Sequence, residues 1–161
     1  MVAATMENAE VLRNNVHSEA AEIISSAVRW SAGAAAMPLP FVDLIGLGLV
    51  QVKMVRNLAK AYGINANDQI LESLISAVLA TMATMTLPVM LFGSSLKVAP
   101  GGGTFLGSVG IATFGAASTY AIGKVFVRHF ENGGTFASFS ADAAKDELKK
   151  ELFSAESGSR K

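Results

Sequence analysis

SLISAVLATMATMTLPVMLFGSSL, Ser73 to Leu96, is 24 residues without a charge, and VAPGGGTFLGSVGIATFGAASTYAIG, Val98 to Gly123, is 26 more. Lys97 alone separates them. Pro100-Gly101-Gly102-Gly103 follows at once, a sequence no helix passes through. At about 1.5 Å per residue the first run makes a helix of roughly 36 Å and Thr104 to Gly123 one of roughly 30 Å, against an apolar layer of about 30 Å. The pair predicts a helical hairpin in or against a membrane. It implies a location and an architecture, but no reaction.

The two helices of this hairpin carry complementary small-residue faces. On the first, Ile70, Leu71, Leu74, Ile75, Val78 and Leu79 form an apolar stripe, and Ser73, Ser76, Ala77, Ala80 and Thr84 lie opposite. A soluble helix puts Lys and Glu on that outer face, whereas small residues let a neighbouring helix approach closely. On the second, Gly107, Gly115, Thr119 and Gly123 recur at multiples of four, with Ala112 and Ala116 beside them. These six are the expected close-packing residues, and the face is also a route to self-association into a homo-oligomer. Pro88 is expected to bend the first helix.

N-terminal to the hairpin, residues 8 to 36 begin as an amphipathic helix. Leu12, Val16, Ala20, Ile23, Ile24, Ala27 and Val28 share a side, and Pro38-Leu39-Pro40 ends it. Trp30 stands where the pattern turns wholly apolar, a place that suits either a lipid–water interface or a core. Pro40 opens a second helix, Phe41 to Tyr62, with Gly63 as its C-cap. Asp43 sits among apolar residues, as an intramembrane functional acid or as a first-turn group favoured by the helix dipole. Asn65-Ala66-Asn67-Asp68 caps the third helix, and Glu131-Asn132-Gly133-Gly134 ends the fourth. Phe136 and Phe139 read as linker residues. Ser140 caps a short amphipathic helix, ADAAKDELKKELF, and SAESGSRK reads as a frayed tail.

The fold predicted is therefore all-α. About four main helices form a membrane-embedded apolar bundle over 1–134, with a linker, a short amphipathic helix and a tail over 135–161. Composition agrees: charged residues are 16%, against about 25% in ordinary soluble chains. Lys+Arg and Asp+Glu are both 13, so no net field draws in nucleic acid. Cys is absent, which removes disulfides and thiolate chemistry. MVAATMENAEVLRNN, with Glu7 and Glu10, does not read as a signal peptide. If both Pro-containing breaks are hairpin tips, Arg13, Arg29, Lys53, Arg56, Lys60, Lys124 and Arg128 share one side, and the positive-inside rule then puts both termini in the cytoplasm of an inner-membrane protein.

No site for chemistry emerges. Gly102 to Ser108 lacks the Lys of a phosphate loop and no strand precedes it. His17 and His129 have no metal-ligand spacing, and no Ser has a basic partner. No catalytic residue, cofactor or metal is expected.

Two blocks are specific enough to carry a resemblance. The first is Pro38-Leu39-Pro40-Phe41-x-Asp43, then Leu47-x-x-x-Gln51-x-x-Met54, then Leu58-Ala59-x-x-Tyr62-Gly63. The second is Lys97-x-x-Pro100-Gly101-x-Gly103-x-x-x-Gly107, then Ala116-x-x-Thr119-Tyr120-Ala121-Ile122-Gly123-x-x-Phe126. Spanning about residues 25 to 134, they resemble the YcjF-like, GTPase-associated bacterial domain family of unknown function. The resemblance implies an apolar helical membrane module without catalytic residues, acting with a GTPase in trans, since this chain has no GTPase domain. The function expected is a non-enzymatic membrane scaffold or adaptor. The alternatives are a pore element, with Asp43 and Gln51 in a polar path, and a soluble oligomeric bundle.

Overall fold

A computed structural model describes the backbone of residues 2–34, 42–95 and 103–158, and the side chains of 6–32, 48–84, 113–155, 157 and 158. The described residues form five α-helices: α1 (Val2–Ala34), α2 (Val42–Ala61), α3 (Asp68–Ser95), α4 (Gly103–Glu131) and α5 (Lys145–Gly158). A 3-10 turn, Phe136–Ser138, precedes α5. The fold is all-α, and no strand occurs among the described residues.

Local chemistry sets the helix ends. After α2, Gly63 adopts φ +69°, a left-handed conformation that a Cβ disfavours. Its N–H donates to Lys60 O at 3.0 Å and that of Ile64 to Ala59 O at 2.7 Å, the paired bonds of a Schellman end. Gly133, at φ +77°, ends α4 in the same way through Phe130 O and His129 O. At the start of α3 the Asn67 side chain accepts from the N–H groups of Gln69 and Ile70.

One core joins all five helices. α1 contributes Ala20, Ile24 and Ala27, α2 Met54, Val55 and Leu58, and α3 Leu71, Ile75, Val78 and Met82, all buried. Phe126 of α4 is fully buried and stacks on Phe139 at 4.4 Å between ring centroids. Phe136 packs edge-on against Phe130 at 5.5 Å. Leu148 and Leu152 of α5 have no exposed surface. Phe136 and Phe139, expected in a linker, therefore belong to the core, which the C-terminal helix shares. Two aromatic rings three residues apart on a short turn can both bury against one helix, and no helical or strand period announces it.

Two further expectations meet a different arrangement. Among the described residues the small-residue face of α4 packs on α1 rather than on α3. α3 contacts α2 and α5 instead, and Ser73, Ser76, Ala77, Ala80 and Thr84 are exposed. The apolar side of α1 is buried only from Ala20 onward, and Val11 and Leu12 stand exposed. Among the described residues no helix is long and apolar enough to cross a membrane.

Candidate functional site

Three buried polar side chains meet where α1, α2 and α4 converge. Ser31, Gln51 and Thr119 have 2%, 0% and 0% of their surface exposed. Thr119 Oγ1 donates to Gly115 O of its own helix at 2.8 Å. With that hydrogen committed, Ser31 Oγ donates to Thr119 Oγ1 at 2.8 Å, and Gln51 Nε2 approaches the same oxygen at 3.5 Å. Ser118 Oγ also donates to Gly115 O, at 3.0 Å. Gln51 Oε1 has no hydrogen-bond partner among the described residues. This layer fixes the heights of three helices against each other, because a buried hydroxyl or amide moved off its partner loses about 1–3 kcal/mol.

The expected close-packing residues of α4 divide around this layer. Gly115, Thr119 and Gly123 are buried. A Cβ built on Gly123 would lie 2.7 Å from Ile24 Cγ1, so the glycine is the notch that lets α1 approach. Ala116 lines an open groove with Val28 of α1 and Ala155 of α5. For Gly103, Gly107 and Ala112 only the α4 backbone is described, and for Asp43 only that of α2. Pro38, Pro40, Pro100 and Gly101 lie outside the described residues. The structure thus brings Gln51 of the first motif block onto Thr119 of the second. Gln51 sits in the closed core.

Tyr62 lies at the opposite end. Its OH donates to Glu131 Oε1 at 2.9 Å, and His17 Nδ1 is 3.3 Å from the same oxygen, so α1, α2 and α4 are tied there too. Burial pushes the Tyr62 phenol well above its ordinary range, and the bond to Glu131 and its charge add to the effect. Arg56 pairs with Asp68 at 2.8 Å across the α2–α3 turn. Arg128 of α4 pairs with both Glu147 and Glu151, one turn apart on α5. Between α1 and α2 an open groove of about 520 Å³ has Ile23, Ala27, Val50 and Met54 on its walls and Trp30 and Lys53 at its rim. Trp30 is 71% exposed, which removes the core reading of that residue. Among the described residues no group of His, Cys, Asp or Glu is placed to hold a metal ion.

A family model described as "Domain of unknown function (DUF697)" matches residues 3–156. The chain belongs to this family. The DUF697 match extends beyond both motif blocks, taking in most of α1 and nearly all of α5, the helices that complete the core. The chain is also similar to "Magnetosome membrane protein 22" of Magnetospirillum gryphiswaldense, with 30% identity over 133 residues, 83% of this chain and 68% of that one. No solved structure matches it.

Ser31, His17, Glu131 and the Arg128–Glu147–Glu151 cluster are absent from the sequence-derived candidates. Ser31 and Thr119 are 88 positions apart, and one Ser in SAGAAAM carries no signal of its partner. The spacing of Glu147 and Glu151 on an amphipathic helix does place two acids on one face, but nothing in the chain points that face at Arg128.

Proposed function

We propose that this DUF697 chain is a non-enzymatic, membrane-associated scaffold or adaptor of the bacterial inner membrane, with its termini on the cytoplasmic side. The observation that carries this reading is the outward face of α3. Ser76 Oγ donates to Glu72 O at 2.8 Å, Thr81 Oγ1 to Ala77 O at 2.9 Å and Thr84 Oγ1 to Thr81 O at 2.7 Å. A hydroxyl that has placed its one hydrogen on its own helix leaves no unbonded donor and is tolerated in an apolar surrounding or beside a close helix neighbour. A relative named as a magnetosome membrane protein supports the same reading.

The adaptor role rests on the opposite end. The first turns of α1 stand away from the core, with Met6, Val11 and Leu12 at 69%, 52% and 65% exposed. An exposed helix end that carries these large apolar residues among Glu7, Glu10 and Arg13 suits a protein partner in trans, and the YcjF-like resemblance favours a GTPase as that partner. A second copy is the competing occupant, which would make the protein a homo-oligomer. Alkaline carbonate washing of native membranes, followed by crosslinking from a photoreactive residue at Leu12, tests both halves. The chain should stay with the membrane and crosslink to another protein. Full recovery in the wash supernatant overturns the membrane role, and crosslinks to lipid alone overturn the adaptor role.

A further inference from the structure

We infer that the domain meets the bilayer at one defined level. Anionic headgroups lie against Arg29, Lys53 and Lys124, and every helix above that level enters lipid. This rests on the membrane reading proposed above and adds where the boundary lies and which lipid chemistry it takes.

The Ser31–Gln51–Thr119 layer supplies a common height for three helices. α4 runs antiparallel to α1, since Thr119 meets Ser31 while Glu131 meets His17. It runs parallel to α2, since Tyr62 also meets Glu131. Arg29 is therefore two residues below the layer on α1, Lys53 two below on α2 and Lys124 five below on α4, or about 3, 3 and 8 Å. For α3 the height comes from Leu79, whose side chain would touch a Cβ at Gly48. Gly48 is three residues above Gln51, which puts Glu72 about 6 Å below the layer. The last charge on each of four helices thus falls within about one and a half helical turns of the others.

Above that level the composition changes on all four helices together. From Trp30 to Val52 the only charge is Asp43, and from Ser73 to Gly123 the only charge is Lys97. Sequence alone shows uncharged runs of different lengths starting at unrelated positions. The polar layer is what shows that they start at one height. Trp30 and Leu49, 71% and 62% exposed, sit at that height, where an indole and a large aliphatic residue anchor a protein at an interface. Gly158, the last described residue of α5, lines one groove with Thr113 and Tyr120 of α4. Three basic residues against one acidic one at the boundary favour anionic lipid.

The depth follows from helix length. Measured from the boundary charges, α3 rises 23 residues from Glu72 to Ser95, about 35 Å, and α4 21 from Lys124 to Gly103, about 32 Å, whereas α2 rises only 11 from Lys53 to Val42, about 17 Å. By length alone the α3–α4 pair reaches through a hydrocarbon layer of about 30 Å and α2 about half of it.

Trp30 is the one Trp of the chain, so the unmodified protein reports on its own position. The full chain is reconstituted into phosphatidylcholine–phosphatidylglycerol vesicles whose acyl chains are brominated either near the headgroup or near the bilayer centre. Expected are a shift of Trp30 emission to shorter wavelength and stronger quenching by the shallow bromines. Replacing Arg29→Glu or Lys53→Glu, both exposed, should weaken partitioning onto the anionic vesicles about tenfold or more, since each reversal removes one attraction of about fivefold and adds a repulsion. If the chain stays with the vesicles and Trp30 is quenched by neither bromine set, or more by the deep one, the level is wrong and the membrane reading survives. If the chain does not partition at all, both fail. A concentration-dependent change in Trp30 emission without vesicles assigns the surface to a second copy and overturns the lipid assignment.

Discussion

Gly123→Ala tests the packing of α1 on α4. The added methyl would sit 2.7 Å from Ile24 Cγ1, 3.0 Å from Cδ1 and 3.3 Å from Cγ2. Carbon atoms in good contact are about 3.5–4.0 Å apart, so roughly 1 Å must be found. Ile24 is β-branched and held to one χ1 rotamer in a helix, so it cannot swing clear. α1 must back away instead, which loosens the burial of Ala20 and Ala27 and stretches the 2.8 Å Ser31–Thr119 bond. Overpacking of this kind costs about 1–3 kcal/mol. Ala in place of Gly within a helix returns about 1 kcal/mol. The net expectation is a loss of about 1 kcal/mol, or about 2–4 °C in Tm for a chain of this length. In an Ile24→Ala background the obstructing atoms are gone and only the propensity gain remains. There Gly123→Ala should raise stability by about 1 kcal/mol, so its sign reverses. Thermal unfolding of the four proteins in one detergent measures this. The same sign in both backgrounds would refute the notch and with it the close approach of α1 and α4.

Thr119→Val leaves Ser31 and Gln51 without their shared acceptor in a dry core and should cost about 1–3 kcal/mol. Gln51→Met removes one 3.5 Å contact and an unpartnered oxygen together and should cost distinctly less, by the same unfolding assay. Tyr62→Phe changes the alkaline limb of stability. The folded phenol is raised above the ordinary value of about 10, so its stabilising contribution is complete below pH 10 and lost as pH rises beyond it. The wild-type advantage over Tyr62→Phe should therefore shrink above pH 10, and an advantage constant to pH 11 would contradict the burial of that ring. Arg128→Ala removes the shared partner of Glu147 and Glu151 and should raise hydrogen exchange across α5 while leaving α2 unchanged.

The local signals of this sequence are the ones that transfer most directly to structure. Gly63, Asn67 and Gly133 each act on backbone atoms within five positions, and the residue type alone states the geometry required. Helix periodicity likewise gave five helices, because a 3.6-residue pattern needs no partner to be visible. Pairing was not legible. The small residues of α3 and of α4 have the same signature, yet one face is exposed and the other buried under α1, since a small-residue stripe records that something can come close and not which helix does. α1 shows the same limit: its apolar side runs unbroken from Leu12 to Val28, yet burial begins at Ala20, and nothing in that pattern marks where the neighbouring helices α2 and α4 end beside it. Phe136 and Phe139 had no period to read. The Ser31–Gln51–Thr119 layer was visible in two of its three members, as motif positions whose meeting only the fold could supply.

The measurement that bears most directly on the account is a depth scan along α3. The chain has no Cys, so single cysteines at Ser73, Ala77, Ala80 and Thr84 can each carry a spin label on the exposed face. In anionic vesicles, accessibility to a polar nickel reagent should fall, and that to oxygen should rise, steadily from Ser73 to Thr84 as the helix climbs about 16 Å from the headgroup level. Four positions equally open to the nickel reagent would place the whole face in water and contradict membrane insertion of this domain.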